Sequence, residues 1–262
     1  MMTRHWLKVA RVTSLMLMLA AVTTTASAQV VQVTRGDARH SIGFNLGYFW
    51  VKGGECPVSP TSCDSRVDDD TLVKNLLNDD PEFDLDFLME GFNGPVFGGE
   101  WLYGITNYIE TGVELSYYRQ TVPSVYANLQ HDNGNLIRQD LRLQMVPFTA
   151  TVRFLPVGRS GPVEPYVGGG VTFVNWSYKE SGEFVDSSNF DIFRATYEAD
   201  GTAVGAVLLG GVRFPIGDAL TAGTEFKWQK AEGDTNSVES QLLGSKIDLG
   251  GWSLNFNMHI RF

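Results

Sequence analysis

Apolar and polar residues alternate strictly at the end of the chain. From Trp252 to Phe262 every even-numbered residue is apolar and every odd-numbered residue is polar. Successive side chains of a β-strand point to opposite faces, so this stretch predicts a strand with two unlike faces. In a soluble sheet the apolar face would pack in the core, whereas in a transmembrane barrel it would face lipid and the polar face would line the lumen. One strand does not decide between the two structures.

Seven further segments show the same two-residue period, and the connections between the eight alternate in length. The predicted strands are 40–51, 95–104, 108–119, 139–154, 164–178, 201–214, 219–230 and 248–262. The long connections are 52–94, 120–138, 179–200 and 231–247. Three short periplasmic turns and four larger surface loops are the arrangement of an outer-membrane barrel. The predicted fold class is therefore all-β, an eight-stranded antiparallel up-and-down transmembrane β-barrel.

The fourth predicted strand changes phase within its length. Its apolar residues are odd-numbered up to Met145 and even-numbered from Phe148 onward. Proline cannot donate a hydrogen bond to a neighbouring strand, so the sequence predicts a β-bulge at Val146 and Pro147.

Residues 1–28 have the features of a secretory signal peptide. Basic residues, a short apolar stretch and a small-residue cleavage site follow one another: Arg4, Lys8 and Arg11, then 15–22, then Ala26-Ser27-Ala28. This order is typical of signals that are cleaved during export. The sequence predicts a barrel domain at 29–262, located in the cell outer membrane.

The balance of charge excludes one class of partner. The chain has 20 Lys and Arg residues against 30 Asp and Glu residues, a formal net charge of −10. Nucleic-acid phosphates would repel such a surface, so no nucleic-acid partner is expected.

The connection 52–94 contains both cysteines and most of the clustered acidic residues. Cys56 and Cys63 lie close together in an exported chain, which predicts a local disulfide, and no further Cys or His completes a zinc site. The ten carboxylates from Asp64 to Glu90, with little basic compensation, could hold Ca²⁺, but the full EF-hand pattern is absent. We expect a solvated acidic loop with a short helix near Leu72 and Leu77, and no metal site.

Eight charged residues lie on the polar faces of the predicted strands, four of each sign. They are Glu100, Glu110, Glu114, Arg142, Arg213, Glu225, Lys227 and Arg261. The interior of an eight-stranded barrel is just wide enough for side chains to fill it, so these charges are expected to pair as a plug. The alternative is a narrow water or ion path that the same pairs would gate.

The three histidines within 29–262 bear on whether the barrel could be an enzyme. A lipid-modifying barrel would need a serine activated by a positioned histidine. His40 and His259 open the first strand and close the last, and His131 lies in a surface loop with Ser124 as its nearest serine in sequence. No catalytic constellation results, so the protein is not expected to be an enzyme, and no cofactor is implied.

Four segments resemble a known family. They are Pro165–Gly170, the strand containing Val146 and Pro147, Gly210–Asp218, and the terminal segment Gly250–Phe262. They are similar to the outer membrane protein beta-barrel domain family, the small eight-stranded barrels of the OmpA and OmpX type. The resemblance implies a terminal signal read by the barrel-assembly machinery, with Phe262 as the terminal aromatic and Ile260 as the preceding hydrophobic residue.

The expected function is structural or interaction-based, because a barrel fold does not by itself specify an activity. The surface loops would serve adhesion or envelope integrity, with outer-membrane lipid, lipopolysaccharide or a host surface as partners of a monomeric barrel. A small passive channel for water or ions is the alternative, and a lipid-modifying enzyme is the third reading.

Overall fold

The computed structural model describes residues 38–52, 73–74, 85–234 and 246–262. The strands are β1 His40–Val51, β2 Val73–Lys74, β3 Leu85–Asp86, β4 Gly94–Gly104, β5 Ile109–Gln130, β6 Leu136–Phe154, β7 Glu164–Val185, β8 Ile192–Ile216, β9 Leu220–Asp234, β10 Lys246–Asp248 and β11 Gly251–Arg261. A 3₁₀ turn covers Met89–Phe92. No described residue belongs to a helix with the length and hydrophobicity that crossing a bilayer requires.

Several sequence predictions fall on residues outside this description. They are the signal peptide 1–28, the disulfide of Cys56 and Cys63, and most of the acidic connection 52–94. Within the predicted short helix of that connection, the described residues Val73 and Lys74 form the strand β2 instead.

Eight long strands close into a barrel. The order is β1, β4, β5, β6, β7, β8, β9 and β11, each pairing with the next, and β11 pairs back with β1. The closing pair β1 and β11 is antiparallel from Ser41 opposite Arg261 to Val51 opposite Gly251. Closure leaves each spanning strand hydrogen-bonded on both sides, as lipid requires. The predicted eight-stranded antiparallel fold is confirmed.

Two of the four predicted surface loops are largely strand. β5 and β6 continue through most of 120–138 and meet at a turn of five residues, 131–135. β7 and β8 continue through most of 179–200 and meet at the turn 186–191. These two hairpins, together with β3 on β5 and β10 on β9, form an extracellular projection of the barrel wall.

A belt of exposed apolar side chains surrounds the lower part of the barrel. One row runs across four neighbouring strands through Leu115, Phe148, Phe173 and Val204. The large side chains exposed on the same outer face are Ile42, Phe44, Leu46, Tyr48, Phe97, Trp101, Val152, Phe154, Val167, Val171, Leu208, Phe214, Phe226, Leu254, Phe256, Met258, Ile260 and Phe262. An apolar patch of this extent would be unfavourable in water, so the belt faces lipid.

Aromatic rings gather at both edges of the belt. At the periplasmic edge the His40 ring stacks on Trp101 and on Phe262, with centroids 5.8 Å apart in each case. At the extracellular edge Trp228 and Trp252 lie 6.2 Å apart. Interfacial aromatic rings of this kind mark the two surfaces of a bilayer.

Above the belt the two faces of the wall exchange polarity. On β6 the lipid-facing residues are Phe148 and Val152, but higher on the same outer face stand Arg142 and Gln144. Leu141, Leu143 and Met145 point inward there and are buried. The outer face meets lipid below and water above, while the inner face is polar below and apolar above.

The predicted bulge at Val146 and Pro147 is therefore wrong. The pairing of β6 with β7 keeps one register from Met145 opposite Trp176 to Phe148 opposite Phe173, and its pairing with β5 shifts only far above, between Val125 and Gln130. The apolar residues of β6 change from odd to even positions because its outer face passes from water to lipid there. The strand itself is regular at this point.

Candidate functional site

The lower half of the lumen holds a network of buried charges centred on Arg153. The Arg153 guanidinium lies 2.6 Å from Glu100, 3.1 Å from Glu225 and 3.9 Å from Glu110. Arg153 is 1% exposed, so these carboxylates replace the water that its charge loses. His259 Nε2 lies 2.6 Å from the second oxygen of Glu100.

The network continues to the periplasmic mouth. Arg213 lies 3.0 Å from Glu110 and 3.7 Å from Glu164. Arg261 donates to both oxygens of Glu164, one of them at 2.9 Å. Arg159, from the turn between β6 and β7, folds back to 3.6 Å from Glu110.

At the upper end of the network Lys227 bonds Glu114 and lies 3.7 Å from Glu225. The Tyr166 hydroxyl donates to Glu225 at 3.0 Å. The guanidinium groups of Arg153 and Arg213 lie over the Tyr166 ring, 5.2 and 4.9 Å from its centroid. The electron-rich ring of Tyr166 is thus favourable for both cations.

The structure places seven of the eight predicted lumen charges in this network. They are Glu100, Glu110, Glu114, Arg213, Glu225, Lys227 and Arg261. Arg142 is the correction, because it stands on the outer face above the belt and its Nε donates to the Thr121 hydroxyl at 3.2 Å. Its inward direction was predicted from a β-bulge at Val146 and Pro147, and β6 has no bulge there.

Sequence reasoning missed Arg153, Arg159 and Glu164. Arg153 lies between the lipid-facing Val152 and Phe154, so the alternation of β6 already indicated that it points inward. Glu164 opens β7 on the same inward parity as Tyr166. Arg159 lies in a turn, where no periodicity could have found it.

The upper half of the lumen is an apolar core. Its buried members are Phe49, Val51, Leu85, Phe87, Phe92, Tyr118, Val122, Tyr126, Ile137, Leu141, Leu143, Met145, Val174, Trp176, Tyr178, Ala199, Ala203, Ala231, Ile247 and Leu249. Phe92, on the 3₁₀ turn that enters the mouth before β4, is fully buried, and the Tyr118 hydroxyl donates to its carbonyl oxygen.

A small cavity lies where the two halves meet. It has a volume of about 30 Å³ and is lined by residues of both, among them Glu114 and Lys227 below and Phe49 and Tyr118 above. That is room for about one or two water molecules. A second hollow, of about 600 Å³, lies on the projection and is lined by Arg138, Glu183 and Arg194 among others.

Hydrogen bonds fix the ends of the projection. His131 Nε2 at the tip of the first hairpin lies 3.1 Å from Glu183 on the second, and Arg194 lies 3.3 Å from the same carboxylate. In the turn 186–191 the Ser188 hydroxyl donates to Asp186, which lowers the pKa of that carboxyl. Lys52 lies 2.7 Å from Asp248, and this bond raises the pKa of the Lys52 ammonium.

No protein-family model matches the chain, and no curated protein matches it in sequence. Its structure is similar to the crystal structure of the outer membrane protein OprG from Pseudomonas aeruginosa, with a TM-score of 0.51 and 11% identity over 88% of this chain and 99% of OprG. The chain is a small eight-stranded barrel of the outer-membrane type.

Two other crystal structures of outer-membrane barrels are similar at lower TM-scores. Ail, the attachment invasion locus protein of Yersinia pestis, has a TM-score of 0.36 and 11% identity over 87% of this chain and 100% of Ail. Neisserial surface protein A has a TM-score of 0.39 and 10% identity over 85% of this chain and 96% of that protein. The sequence resemblance to small outer-membrane barrels is confirmed at the level of the fold.

Proposed function

We propose that this outer-membrane barrel is a closed anchor whose extracellular projection carries the function, as a surface-interaction or envelope-supporting protein. The observation that supports the proposal is the filled lumen. Charged pairs occupy its lower half and an apolar core occupies its upper half. Because the lumen is filled, the groups that a partner could contact lie on the outer surface of the barrel.

Closure of the lumen disfavours the alternative of a passive channel. A permeating ion would have to separate the buried pairs around Arg153, at a cost of several kcal/mol for each uncompensated charge, on the order of 3–5 kcal/mol. It would then meet the apolar core around Phe92 and Trp176, which is tightly filled and offers few polar groups, such as the buried Gln139 and Glu180, to replace its water.

The projection supports the surface role. Its two hairpins are hydrogen-bonded strand pairs, the first with one register shift between Val125 and Gln130, and the contact of His131 with Glu183 joins their ends above the lipid. We place outer-leaflet lipid and lipopolysaccharide around the belt and its aromatic edges, and a host or neighbouring surface at the hairpin tips. Recognition of Ile260 and Phe262 by the barrel-assembly machinery belongs to the same proposal.

A non-catalytic role is also part of the proposal. His259 contacts Glu100, His131 contacts Glu183, and His40 stacks between aromatic rings. Each described histidine thus contacts groups other than a serine hydroxyl, and a serine nucleophile would need such a contact.

Purified refolded protein should give no current steps in planar bilayers. The physical reason is the pairing of the lumen charges over the periplasmic half and the apolar filling above it. The variant Lys227→Met serves as the internal check, because Lys227 lines the cavity between the halves. Ohmic steps in the wild type whose size changes in Lys227→Met would show that current passes through the lumen and would favour the channel.

Removal of the β7–β8 tip should abolish surface binding and leave the membrane sealed. In this variant residues 183–194 are replaced by a two-residue Asn-Gly turn between Gly182 and Ala195, which are already opposite each other. Binding of cells to an epithelial layer is expected to fall to the level of cells without the protein, with no increase in uptake of a dye that the outer membrane excludes. Ser160→Ala at the opposite end is the control. Dye uptake with unchanged binding would indicate a purely structural role.

A further inference from the structure

The barrel wall has a notch above the lipid belt, between β8 and β9. β8 pairs with β7 along 192–213, but with β9 only along 205–216. Beyond Ala231 the strand β9 no longer pairs with β8, and it pairs only on its other edge, with β10, which continues the line of β11. In the described part of the chain, the segment Ile192–Val204 therefore has a partner strand on its β7 side alone. We call the space between this segment and Glu232–Asp234 the notch.

An unpaired strand edge exposes a row of backbone donors and acceptors, and proteins normally protect such edges with proline, bulges or a covering segment. The segment Ile192–Val204 contains no proline. Its register with β7 is continuous from Val185 opposite Ile192 onward, so no bulge interrupts it. The residues on its inward face include the small side chains of Ala195, Ala199 and Ala203.

The Trp176 indole stands at the foot of the notch and touches both of its sides. A Cβ atom added to Gly201 on β8 would lie 3.2 Å from the indole, and one added to Gly233 on β9 would lie 2.4 Å from Nε1. Trp176 is 1% exposed, so the indole closes the foot of the notch from inside and an added strand would lie above it.

Carboxylates flank the notch on its outer face. Glu198 and Asp200 project from β8, and Glu232 and Asp234 project from β9, all of them exposed. Glu198 accepts a hydrogen bond from Ser177, and Lys246 lies 3.8 Å from Glu232. Within the described residues Asp200 and Asp234 have no basic side chain within 4 Å. The acidic residues on both sides would attract a basic ligand and repel an acidic one.

We propose that the notch binds an extended polypeptide segment with basic side chains at alternate positions, which adds to the edge of β8 as a further strand. Main-chain hydrogen bonds to Ile192–Val204 provide affinity, as in other cases of strand addition. The carboxylates of Glu198 and Asp200 favour basic side chains at every second position of the added strand. The inference specifies a partner for the proposed surface role and rests on that role.

The probe is the synthetic peptide Lys-Val-Lys-Val-Lys-Val-Lys-Val, added to the refolded barrel in zwitterionic micelles. Hydrogen exchange of the backbone amides is measured with and without the peptide. We expect binding, with slowed exchange confined to the backbone amides of 192–204. A peptide of the same charge that is N-methylated at every residue has no backbone N–H donor on either edge, so it cannot form the ladder and should give no protection. Equal binding by both peptides, protection elsewhere, or no binding would overturn the inference.

Matched substitutions separate strand addition from attraction to any acidic surface. The double variant Glu198→Gln with Asp200→Asn should weaken binding roughly fivefold, the effect of two exposed ion pairs. Asp140→Asn removes an exposed carboxylate from β6, which is paired on both sides, and should leave binding unchanged. Equal effects of the two changes would contradict a site at the notch. Failed peptide binding by a protein that gives no current steps in planar bilayers would contradict only this inference. Current through the lumen would contradict the proposed function.

Discussion

Replacing Arg153 by leucine should destabilise the barrel by about 3–5 kcal/mol, the cost of leaving buried charges uncompensated. Arg153 is 1% exposed and lies 2.6 Å from Glu100 and 3.1 Å from Glu225. Without the guanidinium both carboxylates would lose their closest cation while remaining buried. The loss of the cation above Tyr166 adds to the effect.

Urea unfolding of the refolded protein in micelles, followed by tryptophan fluorescence, measures this free energy. Arg142→Leu is the matched control and should change it by less than about 0.5 kcal/mol, because Arg142 is on the outer surface and pairs with no carboxylate among the described residues. Adding Glu100→Gln and Glu225→Gln to Arg153→Leu should recover part of the loss, since the unpaired charges are then removed. Equal costs at Arg153 and Arg142 would contradict the network.

Leu143→Asp should cost about 4 kcal/mol or more, whereas Gln144→Asp one residue further should be neutral or slightly favourable. Leu143 is 1% exposed in the upper apolar core, so an aspartate there would have no cation and would lie near the inward-facing Glu180. Gln144 is on the outer face opposite Arg119, which an aspartate could pair with.

The two neighbouring substitutions test the exchange of polarity directly. A β-bulge at Val146 and Pro147 would point Gln144 into the lumen and Leu143 outward, and Gln144→Asp would then be the costly change. Urea unfolding of both variants decides between the two arrangements, and near-equal costs would contradict a regular β6.

The two-residue period of the sequence was sufficient for the number of strands and for their unlike faces. In the terminal strand the even residues from Trp252 to Phe262 point outward, and Ile260 is 59% exposed, as the alternation predicted. Such a prediction succeeds because the direction of a strand side chain depends only on its position along the strand.

The same period could not show which solvent each face meets. At Leu141 and Arg142 the alternation is as regular as at Val152 and Arg153, yet the apolar member points inward in the first pair and outward in the second. The difference lies in the height of each residue relative to the bilayer. It also explains why the predicted loops 120–138 and 179–200 are strands, since their polar outer residues meet water above the lipid.

The sequence by itself determined the eight amphipathic strands, the outward lipid-facing surface and most of the charges that enter the lumen, because these depend on residue type and local alternation. The tertiary structure alone decided which charges meet. Glu100 bonds His259, 159 residues away, and Lys227 bonds Glu114, 113 residues away, through the register of strands that are distant in the chain. The notch has the same origin, because the end of the β8–β9 pairing depends on where two strands diverge, and the local sequence of neither strand contains that information.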